Sequence, residues 1–330
     1  MEELKNYPIS FQEAARARDL VRQYIKPTQL IPYEGLSKLI GAEILVKHEN
    51  HNPTGTFKIR GGVTLMHHLC RHGIKGVITF STGNHGLSIA TAAKWFGIEA
   101  TVVVPEHNNP TKNRAITDCG ATLIEAGTTF EEASKTVEKL CQEQQLYYAH
   151  PADEPLLING VGTAFLEVIE ECPDIDVMVV PLGAGSEAAA AITVLRSVNK
   201  NIDIIAVQAE SSSAAYDSWK KKEICHSSNT TFAGGFATGM AYDVPFEIYK
   251  NGLSDFVKLT EQEIYEAIGC AFYYTHNLAE GAGASTIMAA YKIREQLKGK
   301  TVVLQMSGCN ASPDEIIQAS QLDTFRDGIK

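Results

Sequence analysis

The sequence predicts an α/β protein whose open, mostly parallel sheets carry helices on both faces. Three observations carry that reading. Short apolar runs of strand length alternate with segments of helical spacing along most of the chain. Small-residue turns (STGNHG, GAGSE and SGCN) follow three of those runs, at the edge where an open parallel sheet keeps its ligand. At 330 residues, 44% hydrophobic and 21% charged, the chain is also long enough for two packed domains.

Taken in order, FQEAARARDLVRQYI reads as a helix capped by Ser10 and stopped by Pro27, and TQLIPYEGLSKLIG as a connection to the first strand, EILVK. HNPTG is a turn, and FKIRGGVTLMHHL takes up helical spacing. GVITFS, ATVVVP, ATLIEAG and LYYAH are then short buried strands, separated by helical segments near 84–96, 110–119 and 129–144. PADEPLLINGVGTAFLEVIEE begins a second series, with strands at VMVVP, IIAVQAE, FVKL and TVVLQM. No Pro- or Ser-rich linker, short-period repeat or low-complexity segment divides the two series.

Composition excludes several classes. A net charge of −10 argues against nucleic-acid or anionic-membrane partners, which need a basic face. MEELKNYPIS is polar, so no signal peptide is read, and no apolar run approaches membrane-spanning length. Seven cysteines without a Cys-x-x-Cys pair point to neither a disulfide framework nor a zinc ribbon, and a reducing cytoplasm fits best.

Lys58 falls in the first turn of its helix, where the partial positive charge of the helix N-terminus opposes a cation. That placement favours a neutral amine, the form that a nucleophilic or Schiff-base lysine needs. Taken alone, an ordinary solvated lysine is the plainer reading. GAGSE (Gly183, Ala184, Gly185, Ser186, Glu187) leads directly into a helix, so its free amides form a candidate phosphate cup. The same stretch spells Gly-x-Gly-x-x-Ala, with Glu210 at the end of the next strand, which leaves a nicotinamide-dependent oxidoreductase as an alternative. That alternative leaves Lys58, STGNHG and SGCN without a role.

The four motifs together resemble the second structural class of pyridoxal-phosphate enzymes, specifically the threonine/serine dehydratase and serine racemase family. PTGTFKIRGG is similar to that family's lysine signature PTGSFKxRG, STGNHG to its SxGNH loop, and SGCN to its terminal SGxN. The similarity runs from about Lys26 to about Asn310. KIR and GNHG point away from cysteine synthase relatives, which usually show KDR and GNTG. The resemblance implies a tryptophan synthase β-like fold of two open twisted sheets. A large cofactor-binding domain would use residues 1–50 and 150–330, and a small domain at 51–149 would carry Lys58 and the Asn84 loop. It also implies pyridoxal 5'-phosphate as cofactor and a homodimer.

Residue by residue, the resemblance implies that Lys58 carries the cofactor and then removes the substrate's Cα proton, with Phe57 beside the flat ring. Asn84 would bond the ring oxygen, Ser307 would face the pyridine nitrogen, and Gly183–Glu187 would hold the phosphate. Gly239 would allow close backbone approach, and Glu280 would lie near the ring or substrate. Ser81, Thr82, Gly83 and His85 would clamp the substrate carboxylate. A neutral hydroxyl at Ser307 favours elimination, giving a 2-oxo acid and ammonia from a β-hydroxy amino acid such as L-threonine or L-serine. Glu210 and the Ala214 carbonyl match a Mg2+ or Ca2+ site of these relatives, with Tyr216 in place of its usual acidic third ligand.

Several positions depart from the family pattern. Glu187 brings a carboxylate where an apolar residue is usual, and its side chain must point away from the phosphate. Thr82 keeps a hydroxyl where dehydratases often have alanine and racemases have serine, so racemisation stays open as an alternative activity. Thr238 stands where aspartate is common, which leaves threonine or serine a default substrate. About twenty residues follow SGCN, too few for a regulatory domain. A catalytically silent binding protein is the remaining alternative, against which the intact Lys58 argues. His68 and His72 have metal-ligand spacing without an accompanying Glu and read as a solvated helix face, and His48 and His51 flank a turn without a recognisable third ligand. Cys309 reads as a buried, inert thiol.

Overall fold

The computed structural model describes residues 5–127 and 130–329. Helix α1 (Phe11–Tyr24) starts where the sequence places it, and the Ser10 hydroxyl accepts the Glu13 amide at 3.2 Å. The segment read as a connection instead holds strand β1 (Leu30–Pro32) and helix α2 (Glu34–Ile40), which ends at Gly41 with φ +78°. Three residues are too few to show strand alternation, and β1 owes its form to antiparallel pairing with β2 (Glu43–Lys47).

After a turn come α3 (Lys58–Arg71), β3 (Gly76–Phe80), α4 (Asn84–Phe96), β4 (Glu99–Val104), α5 (Pro110–Asp118), β5 (Thr122–Glu125), α6 (Phe130–Gln144) and β6 (Tyr147–Tyr148). The second series runs α7 (Pro155–Glu171), β7 (Val177–Pro181), α8 (Ser186–Val198), β8 (Asp203–Ala209), α9 (Ala214–Lys221), α10 (Asp243–Gly252), β9 (Asp255–Leu259), α11 (Glu261–Thr275), α12 (Gly281–Lys292) and β10 (Thr301–Gln305). Two further helices follow, Pro313–Ser320 and Asp323–Asp327.

The strands form two sheets. One has the order β1-β2-β10-β7-β8-β9, parallel throughout except at β1, and the other the order β5-β4-β3-β6, parallel throughout. β10 lies between β2 and β7, with Gln305 opposite Lys47 and Leu304 opposite Val179. Every residue of β3 and β7 is buried, as expected of parallel strands covered on both faces.

The lysine helix is fixed by its next three residues. Arg60, with no accessible surface, grips Glu49 at 2.7 and 2.8 Å and Glu167 of α7 at 2.8 Å through each of two nitrogens. Lys47 adds a second buried cation, 2.8 Å from Glu167, and the Thr28 hydroxyl donates to Glu49 at 2.6 Å. Burial pushes the Glu49 carboxyl up, but the Arg60 guanidinium outweighs it and holds the group below the usual carboxylate range. Gly61 then lets α3 approach α7 closely, since a Cβ there would sit 2.8 Å from the Leu157 carbonyl oxygen. Gly62 does the same toward the Ser88 carbonyl of α4, at 3.0 Å.

Candidate active site

The turns after β2, β3, β7 and β10 meet at one edge. Lys58 and Phe57, Asn84, the whole turn Gly183–Glu187, Glu280 and Ser307 line a common cleft of about 380 Å³. A second cleft of about 600 Å³ opens from it and is lined by Lys58, Ser81, Thr82, Gly83, Asn84 and His85. Of the sequence-derived cofactor residues, Gly239 alone lines neither cleft. It sits beside an isolated bridge between His226 and Met240, and the glycines of this stretch that line the clefts are Gly234, in the larger, and Gly235, in both.

Lys58 is brought here by backbone pairing across more than two hundred residues. The Phe57 amide donates to the Ser307 carbonyl at 3.1 Å, Thr56 bridges Gly308, and the Cys309 amide donates to the Gly55 carbonyl at 2.9 Å. The lysine segment is thus an extension of the turn that follows β10. The amine lies 4.8 Å from the centroid of the Phe57 ring. Burial pulls its pKa below the ordinary lysine value, although the Glu187 and Glu280 carboxyls push the other way.

Asn84 begins α4 and is held from both ends. Its Nδ2 donates to Glu280 at 2.6 Å, and its Oδ1 accepts from Asn310 Nδ2 at 2.8 Å. Asn310 also donates to the Thr54 carbonyl at 2.9 Å, so the SGCN asparagine positions the STGNHG asparagine. That role was not read from the sequence, because the partners lie in different motifs. In the same loop the Gly83 amide donates to the Ser81 hydroxyl at 3.2 Å. His85 is buried, donates to the Ala149 carbonyl at 3.2 Å and is pushed down to about 3 by burial, so it stays neutral. Thr82 is exposed at the mouth of the larger cleft.

The turn at 183–187 has the build of an anion cup. A Cβ on Gly183 would overlap the Gly235 carbonyl, and Gly185 has φ +96°, a conformation that suits glycine. No side chain caps α8, which leaves its first-turn amides available to an anion. Glu187 is buried in this turn and accepts from Gln305 Nε2 of β10 at 3.0 Å. It therefore turns to the sheet, yet it remains part of the cleft wall beside Lys58.

Burial pushes Glu280 up to about 7, against the Lys112 ammonium and the Asn84 hydrogen bond, which lower it. A carboxyl raised in this way binds a proton in the folded state that the unfolded chain has already lost. The stability linked to it is full below the ordinary value of 4.5 and is lost as pH rises to about 7. Glu280→Gln, which is always neutral, is expected to flatten that fall, as read from urea midpoints at pH 5 and pH 8 beside wild type.

The other singled-out residues lie elsewhere. Glu210 is exposed just after β8, Ala214 is buried at the start of α9, and Tyr216 packs against Trp219 and Phe256. Among the described residues no group of three His, Cys, Asp or Glu side chains could hold a metal. His72 bonds the His68 carbonyl through its ring, and His48 stacks on His51. The Cys309 thiol is raised by burial and donates to the Asn50 carbonyl at 3.3 Å, the behaviour of an inert thiol.

Comparison with known proteins gives three kinds of match. The family model described as "Pyridoxal-phosphate dependent enzyme" matches residues 21–308, which take in all four motifs up to Gly308. Among curated proteins, the L-threonine ammonia-lyase of Thermotoga maritima is 33% identical over 324 residues, covering 98% of this chain and 80% of that protein. Among solved structures, threonine deaminase isoform 2 of Solanum lycopersicum superposes with a TM-score of 0.88 at 27% identity, over 96% of this chain and 95% of that one. The serine racemase of Dictyostelium discoideum does so with 0.87 at 28% identity, over 92% and 99%.

Proposed function

The chain belongs to the pyridoxal-phosphate-dependent enzyme family, and on that premise we propose that it is a dehydratase (ammonia-lyase) converting a β-hydroxy amino acid such as L-threonine or L-serine to a 2-oxo acid and ammonia. The observation that carries this reading is the convergence of Lys58, the Asn84 loop, the Gly183–Glu187 cup and Ser307 on one cleft. The donor set fits the cofactor: uncapped amides for a phosphate, an amide side chain for a ring oxygen, a hydroxyl for a ring nitrogen and an amine for the carbonyl carbon.

Bound there, pyridoxal phosphate supplies the electron sink that makes a substrate's Cα proton acidic. Lys58 Nζ then receives that proton, and burial favours the neutral form of the amine that can accept it. The Ser81–His85 loop holds the substrate carboxylate through backbone amides and hydroxyls, which fixes the Cα–H bond toward Lys58. Glu280 and Asn310 orient Asn84 for the ring oxygen. Gly183→Ala is expected to weaken cofactor binding at least ~10-fold in an absorbance titration, because the new Cβ would meet the Gly235 carbonyl oxygen at 2.0 Å and force the two walls of the cleft apart.

A racemase reading of the same cleft rests on the Thr82 hydroxyl at its mouth, which could return a proton to the face opposite Lys58. The test takes the visible spectrum before and after borohydride, then adds a panel of β-hydroxy amino acids while following ammonia and product chirality. Ammonia release supports the lyase and inverted amino acid supports the racemase. Absence of a borohydride-sensitive band after loading with pyridoxal phosphate would remove both.

Around this site the domain division at residues 1–50, 51–149 and 150–330 is supported by β3–β6 forming their own sheet between β2 and β7 in sequence. A homodimer is proposed from the family, to be checked by light scattering. A Mg2+ or Ca2+ at Glu210 and the Ala214 carbonyl would show as a rise in thermal midpoint with either ion. A cytoplasmic site of action is supported by the free cysteines, and among the described residues no helix is long and apolar enough to cross a membrane.

A further inference from the structure

Glu187 is the ionisable wall of the cleft that the chemistry above does not use. Its carboxyl is 3% exposed, shares the smaller cleft with Lys58 and lies in the first turn of α8, where an anion seated on the amides would meet it as a like charge. Its hydrogen-bond partner is a neutral amide, Gln305 Nε2, at 3.0 Å. The other end of that amide, Gln305 Oε1, is buried with no hydrogen-bond partner among the described residues. Facing a carboxylate, an amide can use only its donor. Facing a carboxylic acid it can use both ends, because the acid donates in return.

We propose that Glu187 holds the proton that Lys58 gives up, so that in the cofactor-free cleft the two groups are a carboxylic acid and a free amine. The inference rests on the reading of this cleft as the cofactor site. One proton leaves Lys58 Nζ and one arrives on a Glu187 carboxyl oxygen, so the net charge of the pair is zero before and after. In water the ion pair would win, but here both partners are taken out of water and separated charge is the costly state. The charged groups that face Glu187 are Lys58 from α3, Glu49 from the turn after β2 and Glu280 before α12. Two of those three are carboxyl groups, and each opposes its ionisation when charged. Burial, the largest cause, holds the Glu187 carboxyl well above its ordinary range. A bound phosphate would act in the same direction.

Infrared spectroscopy reads the proton directly, in apoenzyme and in cofactor-loaded enzyme. At neutral pH the wild type is expected to show a protonated-carboxyl band that Glu187→Gln removes, with Glu280→Gln run beside it to identify the other carboxyl. The pH dependence of cofactor affinity gives a second readout. Above the ionisation of Glu187 the wild type is expected to lose about tenfold more affinity than Glu187→Gln, the size of a one-unit shift. Should Glu187→Gln not fold, Gln305→Leu leaves the carboxyl in place and is expected to shift the same band. If no band depends on Glu187 while the enzyme loads with cofactor, the carboxyl is ionised and the inference is overturned. Failure of the wild type to load would overturn the cofactor reading instead, and the apoenzyme spectrum would still locate the proton.

Discussion

Lys58→Ala is expected to lower kcat/KM by ~10³-fold or more with little change in stability. A positioned general base alone is worth about 10²- to 10⁴-fold, and the same amine also carries the cofactor in the proposed reading. The stability side follows from what Lys58 does in the fold. Its amine makes no hydrogen bond or ion pair among the described residues, and its burial works against its charge. Removing it therefore takes away a strained group and not a support. Steady-state rates, the borohydride-sensitive band and thermal unfolding check the two halves separately. A variant that kept more than about a tenth of wild-type kcat/KM would assign the base to another residue.

Arg60→Ala is expected to do the reverse, damaging the fold first and the chemistry through it. The guanidinium holds Glu49 and Glu167, both almost wholly buried, and its loss leaves two buried carboxylates with Lys47 as the remaining cation among the described residues. Breaking a buried pair in this way costs about 3–5 kcal/mol. Arg60→Lys should recover only part of that, because a single ammonium cannot reach two carboxylates in the bidentate geometry now present. Urea unfolding of the three proteins gives the comparison. A loss below ~1 kcal/mol for Arg60→Ala would mean that the network is replaced by water at no net cost.

The strand–helix alternation, the Ser10 cap and the three ligand-side turns were legible in the sequence because each leaves a local pattern. β1 and α2 were not, since β1 is three residues long and exists through its pairing with β2. The same divide runs through the site. The residues that line the cleft were readable from motifs, whereas those that orient them were not. Asn310 acts on Asn84 across more than two hundred residues, and Gln305 acts on Glu187 from a strand whose own sequence reads only as buried apolar chain. Gly239 lines neither cleft whereas Gly234 and Gly235 do, within a stretch that has no regular element to fix its register. Arg60 and the two glycines after it were visible as letters of a motif, but their reason, a buried charge cluster and two close helix approaches, is tertiary.

The order β2-β10-β7 in the larger sheet constrains how the protein comes into being. During synthesis β2 and β7 emerge long before β10, yet neither pairs with the other in the native sheet. Until residues 301–305 leave the ribosome, the facing edges of β2 and β7 lack their native partner. Only then can the Lys58 segment find the turn that carries it. Joining of the β1-β2 and β7-β8-β9 parts of the larger sheet, and seating of Lys58 beside Ser307, thus rest on contacts far apart in sequence, which favour slow folding. A ribosome-stalled chain ending before Thr301 would contain Lys58 without the Ser307–Cys309 turn that seats it.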